Sequence, residues 1–240
     1  MKKIIYLPII LIAIIFCFNN DVFAYPSLQL DIAGGTYNYA TETIIAPGNN
    51  FTLYALLKTD NDNLVTDTYY ISAAIVPAIN SSADLGSFIF AGNNISVTDD
   101  MDYGTPPLDG LYPDLGSHGI FATYYKEFSF AFNQSNENEI DIYNTKDRAI
   151  AGTAIDLDSG TGMYYAAFVI DISNLAAAYG IHFDLYNENI IIKNNSTDYS
   201  TQFAPYSHDA EGHKVPEPAT LLLLGFGLVG LAGVNRKFKK

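Results

Sequence analysis

Three stretches of the chain concentrate side-chain oxygens at short spacing. Asp60, Asn61, Asp62 and Asp67 form the first, Asp99, Asp100 and Asp102 the second, and Asp156, Asp158 and Ser159 the third. Ca²⁺ takes roughly six to eight oxygen ligands, and extracellular sites tolerate weak binding because ambient calcium is high. These loops are therefore candidate Ca²⁺ sites, through Asp60, Asp62, Asp67, Asp99, Asp100, Asp102, Asp156 and Asp158. None follows the spacing of a helix–loop–helix calcium site, since Leu64 stands where that loop places its third ligand. Asp and Asn also form turns for their own reasons, so solvated turns account for the same residues.

Other patterns suggest chemistry less directly. Asp158-Ser159-Gly160-Thr161 looks like the D-[ST]-G-[ST] loop of aspartic proteases, with apolar Ala154-Ile155 upstream. That reaction needs two carboxylates sharing a proton, and the chain has no second copy of the loop. A tight turn explains it equally well. His208-Asp209-Ala210-Glu211-Gly212-His213 puts two His and two carboxylates within one hexapeptide, a set that could take Zn²⁺ or Cu²⁺. Its position beside Pro216 reads as a polar spacer, where ordering a linker around a metal costs entropy. His118 and His182 stand alone, and His182, in an alternating segment, reads as solvent-facing. Gly116-Ser117-His118-Gly119 lacks the spacing of a nucleophile elbow. Carboxylate pairs for glycoside hydrolysis are set by the fold, so the sequence selects none. Tyr and Phe leave sugar stacking open, although Trp, the strongest platform, is absent. No catalytic residue is assigned, and the expectation is a protein without enzymatic activity.

Any such site must be positioned by strands. Leu28 to Ile32, Phe128 to Phe132 and Ile181 to Leu185 alternate apolar and polar residues. Phe51 to Leu57, Tyr69 to Val76, Ser87 to Phe90 and Tyr164 to Ile170 are short aromatic or β-branched runs. Turn clusters separate them at Ala46 to Asn50, Asp60 to Asn63, Gly92 to Asn94 and Asn194 to Ser196. The pattern predicts an all-β body, a single β-sandwich or jelly roll. One short helix is expected over the Ala-rich stretch Ser173 to Tyr179, stopped by Gly180. The Pro- and Gly-rich segment Tyr103 to Phe121 reads as a long covering loop.

The two ends read as addresses. Lys2 and Lys3 precede an apolar run, Ile4 to Phe18, and Val22-Phe23-Ala24 completes a secretory signal peptide. Cleavage between Ala24 and Tyr25 by signal peptidase is expected, and it removes Cys17, the sole cysteine. A lipoprotein reading of Cys17 is disfavoured by the bulky Phe16 before it. At the other end Pro216-Glu217-Pro218 precedes an apolar helix at 219–234 and the basic cluster Arg236, Lys237, Lys239 and Lys240. That run is slightly short of the ~20 residues a stable membrane span prefers, and the cluster behind it would stay cytoplasmic. Gly225 to Gly230 spells G-x-G-x-x-G, but no strand precedes it and the chain ends ten residues later. The organisation is therefore a signal peptide at 1–24, a β-rich ectodomain at 25–212 and a tail at 213–240.

The tail resembles the PEP-CTERM sorting signal of Gram-negative bacteria: the Pro-Glu-Pro tripeptide, the Gly-bearing apolar helix and the basic end come in that order. The resemblance implies processing by exosortase, transient anchoring in the inner membrane and transfer to the envelope or an exopolysaccharide matrix. Such tails also carry an "ice-binding protein C-terminal" label, which describes the tail only, and no regular Thr-x-Thr ladder is present. The ectodomain resembles the choice-of-anchor N bacterial surface proteins. The resembling stretches are Leu28 to Tyr37, Phe51 to Leu57, Met101 to Asp109, His118 to Phe121, Ile181 to Asn187 and Pro205 to Ala210. That resemblance implies no activity and no site residues.

Charge sharpens the picture. The 240 residues carry 12 Lys/Arg and 26 Asp/Glu, a net charge of −14. The ends hold half of the bases, so residues 25–215 keep 6 bases and 24 acids, a net −18. Nucleic acid is excluded as a partner, because phosphate binding needs surplus Lys and Arg. Cations or a neutral glycan fit such a surface better.

Overall fold

The computed structural model describes residues 25–106, 121–132, 138–187, 191–193, 196–198 and 203–214. The chain forms β1 (Leu28–Ile32), β2 (Thr36–Asn38), β3 (Thr43–Ile45), β4 (Asn50–Leu57), β5 (Tyr69–Val76), β6 (Ser87–Phe90), β7 (Asn93–Ser96) and β8 (Asp102–Gly104). There follow β9 (Thr123–Phe130), β10 (Glu139–Asp141), the helix α1 (Thr145–Ala151), β11 (Gly162–Asp171), β12 (Gly180–Asn187), β13 (Ile191–Lys193) and β14 (Ser196–Asp198). A 3-10 turn at Tyr206–His208 leads into β15 (Asp209–His213).

Two sheets make a sandwich. The first runs β1-β4-β11-β6-β7, with β10 also paired to β11. The second runs β2-β3-β15-β12-β5-β9-β8. The described pairings are antiparallel except β15 against β3, which is parallel. Leu28, Leu30, Ile32, Leu53, Ala55 and Ile170 of the first sheet meet Ile71, Ala73, Ile75, Ile181, Phe183 and Ala210 of the second in one buried core. Period-two alternation produces this, because successive side chains of a strand point to opposite faces.

The outer faces are covered too. All five residues of β1 are buried, so its polar residues do not face water. Gln29 Nε2 donates to the Tyr143 carbonyl at 3.2 Å, and Gln29 Oε1 accepts from Thr145 N at 3.0 Å. Asp31 receives the Arg148 guanidinium through both oxygens, at 2.9 Å from Nε to Oδ2. Residues 143–148 thus lie over the first sheet, and a small second core of Leu56, Ile140 and Met163 forms beside them.

The predicted helix at Ser173 to Tyr179 does not form. Leu175 N bonds to Ile172 O and Ala176 N to Leu85 O, while Gly86 and Leu175 make a β-bridge. Tertiary bonding to the start of β6 outweighs the Ala preference, and seven residues make a marginal helix alone. The observed helix lies elsewhere. Asn144 Oδ1 accepts from Asp147 N at its start, and Gly152, at φ 65°, ends it. The loop at 103–121 is partly described: Tyr103 and Gly104 belong to β8, and 107–120 lie outside the described residues. The turn expected at Gly92 to Asn94 centres on Ala91 and Gly92, both at positive φ, with Asn93 and Asn94 already in β7.

Candidate functional site

On β12 the core-facing residues are Ile181, Phe183 and Leu185. His182 and Asp184 therefore project from the opposite face of the sheet. On β15, Ala210 faces the core, and Asp209 and Glu211 share the face of His182. The ladder pairs His182 with Glu211 and Phe183 with Ala210, which brings Asp209 beside Asp184. On the other flank Asp184 is paired with Ser72 of β5.

This polar face is buried. His182 and Asp209 are each 1% exposed and Asp184 is 4% exposed. The expectation of a solvent-facing His182 is thus corrected: alternation sets the face a residue occupies, but not whether that face is covered. The hexapeptide 208–213 is likewise no linker. It is the last turn and strand of the body, held between β12 and β3.

The distances are informative. His182 Nε2 lies 3.5 Å from Asp184 Oδ1 and 3.8 Å from Asp209 Oδ2. Glu211 Oε2 faces the other ring nitrogen, Nδ1, at 3.8 Å, and Glu211 Oε1 accepts from His213 Nε2 at 2.6 Å. His182 Nε2, Asp184 Oδ2, Asp209 Oδ2 and Ser72 Oγ are buried without a hydrogen-bond partner. Among the described residues, this is the one place where three metal-ligating side chains converge: His182, Asp184 and Asp209 offer atoms within 4.8 Å of one another.

Electrostatics follow from this crowding. Burial alone would hold the His182 ring neutral, but Asp184, Asp209 and Glu211 outweigh it and raise its pKa well above 6.5. Burial pushes Asp209 well above its usual range, with Asp184 adding to the effect and His182 opposing it. Burial also works against ionised Glu211, yet His182 and His213 bring it down to about 2. His208 belongs to a different contact. Its Nδ1 meets Ser207 Oγ at 3.0 Å and its Nε2 meets Asn144 Oδ1 at 3.2 Å, so it braces the start of α1.

The aspartates singled out in the sequence do not converge in this way. Asp60 accepts from the backbone amides of Asp62 and Asn63 at 2.8 Å and from the Ser27 hydroxyl. Asp67 Oδ2 accepts from Leu64 N and from Asn187 Nδ2, and Asp100 Oδ2 from Ser96 N. Asp156 Oδ1 accepts from Asp158 N at 3.0 Å, while Asp99 and Asp102 are exposed. The backbone bonds are ones that turn-forming residues make to their own loops, while Ser27 and Asn187 reach Asp60 and Asp67 from distant segments. The Asp158-Ser159-Gly160-Thr161 loop is held to β10 by a Ser159–Ile140 bridge and a bond from Gly160 N to Glu139 O. Asp156 and Asp158 do share a pocket of about 570 Å³ with Tyr25, Asp141, Tyr143 and Asp147. Tyr25 thus lies on that pocket, while Ala24, Pro216, Glu217, Pro218, Arg236, Lys237, Lys239 and Lys240 lie outside the described residues. No helix among the described residues is long and apolar enough to cross a membrane, and the run at 219–234 is outside them.

Comparison with known proteins bears on the tail. Residues 214–237 match the PEP-CTERM protein-sorting motif. The chain therefore carries an exosortase-type sorting signal, which marks it for export and association with the cell envelope. No curated protein matches the chain. A solved structure, the collagen binding subdomain ACE19 of the Enterococcus faecalis surface protein ACE, superposes at 10% identity and a TM-score of 0.24. The match covers 79% of this chain and 96% of that one, and at that score it carries no argument.

Proposed function

We propose that the protein is a non-enzymatic surface protein of the bacterial envelope, exported by its signal peptide and handed to exosortase through its tail. The observation that carries this reading is the sorting motif at 214–237 behind a folded β-sandwich. The inner membrane holds the unprocessed chain through the apolar run at 219–234. Exosortase then releases the body to the envelope or an exopolysaccharide matrix. Mass spectrometry of the protein from its native host tests the scheme. A chain beginning at Tyr25 and ending near Pro216 is the expected result. An intact tail on the mature surface protein would refute processing.

A second reading, a carbohydrate- or calcium-binding module, is favoured by the pocket beside α1. Four aspartates, Asp141, Asp147, Asp156 and Asp158, line it together with Tyr25 and Tyr143. Carboxylates that accept from sugar hydroxyls beside an aromatic ring suit a glycan, and the same oxygens suit Ca²⁺. Glycan arrays and calcium titration separate the two. Asp156→Asn should weaken whichever ligand binds, and silence in both assays would remove this reading.

A further inference from the structure

We infer that His182, Asp184 and Asp209 form a binding site for one first-row transition-metal dication of the Zn²⁺ type. The inference stands apart from the sorting tail, since the residues it uses lie in β5, β12 and β15.

The unpartnered atoms come first. His182 Nε2, Asp184 Oδ2 and Asp209 Oδ2 have no hydrogen-bond partner, and their residues are at most 4% exposed. A buried polar group left in that state costs about 1–3 kcal/mol, and more when charged. Folded proteins leave few such groups, and here three belong to residues that each offer a ligand atom within 4.8 Å of the others. The Asp184 oxygen that faces Nε2 is Oδ1, the neighbour of the unpartnered Oδ2, so a single ion bound by both oxygens of that carboxylate would satisfy the set.

The separations discriminate between explanations. Nε2 to the two carboxylates measures 3.5 Å and 3.8 Å. An N–H···O hydrogen bond falls at about 2.7–3.2 Å, so these are too long to be direct bonds. Two donors each about 2.0–2.1 Å from one tetrahedral Zn²⁺ stand about 3.3–3.4 Å apart. The two separations from Nε2 are close to that value, and the three donor atoms together lie within 4.8 Å of one another, so the set must close in around the ion.

The donor types select the ion. Ca²⁺ and Mg²⁺ prefer oxygen ligands in greater number, whereas imidazole with carboxylate suits Zn²⁺ and its neighbours in the first row. Two aspartates neutralise a dication. Ser72 Oγ, from the residue paired with Asp184 in the ladder, is likewise buried and unpartnered. Glu211 faces Nδ1 of His182 at 3.8 Å. A carboxylate that closes from there onto Nδ1–H favours the tautomer that leaves Nε2 free for metal, a usual companion of metal-bound histidine. Binding then requires Nε2 to release any proton it holds, and Nδ1–H remains directed at Glu211.

The full-length protein, stripped with EDTA and dialysed, provides the test. Calorimetry with Zn²⁺ should show one equivalent bound, with a higher melting temperature. Co²⁺ should give a visible absorption band that Zn²⁺ addition removes. Asp209→Asn should weaken Zn²⁺ binding at least about 100-fold, and Glu211→Gln, a positioning change, about 10–100-fold. Asp100→Asn, in a surface turn, should leave binding unchanged. Absence of both heat and Co²⁺ absorption in the unmutated protein would overturn the inference. So would Ca²⁺ binding without Zn²⁺ binding, or loss of binding in His213→Gln with none in Asp209→Asn. Should Asp209→Asn not fold, the Co²⁺ band of the unmutated chain and its displacement by Zn²⁺ decide the matter.

Discussion

Arg148→Met should destabilise the protein strongly, and more at pH 8 than at pH 5. Arg148 reaches from α1 to Asp31 on β1. All five of its N–H groups have acceptors: both Asp31 oxygens, and the carbonyls of Gly35, Thr153 and Ile32. Tyr143 Oη donates to Asp31 Oδ2 at 3.0 Å, and Tyr54 stands opposite Asp31 on β4. Burial nevertheless dominates and raises the Asp31 carboxyl from 3.8 to about 6, with Arg148 and Tyr143 offsetting part of the rise. At 1.36 kcal/mol per pKa unit this is worth about 3 kcal/mol. The sign follows from linkage. A carboxyl raised on folding contributes stability that is complete below 3.8 and is lost as pH rises through about 6.

Removing Arg148 raises the carboxyl further and extends that loss to higher pH. At pH 8 the variant buries an unpaired carboxylate, so the cost should be about 3–5 kcal/mol. At pH 5 the carboxyl is mostly protonated in both proteins. Only the guanidinium hydrogen bonds are then lost, about 1–2 kcal/mol. The assay is urea unfolding followed by near-ultraviolet circular dichroism, which reads the 18 tyrosines of a chain without tryptophan. Asp31→Asn combined with Arg148→Met should remove the pH dependence and recover at least half of the loss at pH 8. A cost below 1 kcal/mol at pH 8, or equal costs at both pH values, would refute the argument.

Three further outcomes follow from the structure. Gly86 sits at φ 84°, and a Cβ there would collide with the Asn174 carbonyl oxygen. Gly86→Ala should cost at least about 3 kcal/mol, whereas Gly92→Ala, at φ 83° with open space around it, should cost about 1–2 kcal/mol; equal urea midpoints would contradict this. Deleting residues 216–240 should move the protein from the envelope to the periplasm or medium, and unchanged fractionation would count against sorting by the tail. Thermal hysteresis should be absent on nanolitre osmometry, since the sequence holds no regular Thr-x-Thr ladder.

Much of the sandwich was legible in the sequence. Tyr69 to Val76 and Ser87 to Phe90 were read with the boundaries they have as β5 and β6. Their aromatic and β-branched residues fit a half-buried pleated surface and little else. The helix was misplaced for a physical reason. Ala176 to Ala178 carry helix propensity, but the backbone there bonds to Leu85 and Gly86. At α1 the useful signals were a capping Asn144 and a terminating Gly152, which bracket a helix of seven residues, too short to show an apolar stripe. The site was half legible. Alternation put His182 and Asp184 on one face, whereas Asp209 and Glu211 stand in a hexapeptide that the sequence presents as a polar spacer. What joined the two pairs was the register of β12 on β15, across some 25 residues of chain, and no local pattern encodes that.

The two outer faces show why the second one calls for a cation. Over the first sheet, one buried carboxylate, Asp31, meets one permanent cation whose donors are all used. Over the second, Asp184, Asp209 and Glu211 meet two imidazoles, His182 and His213, of which His213 is half-exposed and bonded to Glu211 alone. An imidazole offers two donors when protonated and no more. His182 Nε2 stands 3.5 Å and 3.8 Å from the two aspartates, and Nδ1 stands 3.8 Å from Glu211. Three negative groups therefore share fewer positive donors than their geometry can use. Such a buried excess is unfavourable in a body that already carries a net −18 over residues 25–215. A dication at Nε2 corrects the charge and satisfies the unpartnered atoms at once, whereas protonation of Asp209 relieves the charge and leaves the His182 ring without a partner at Nε2.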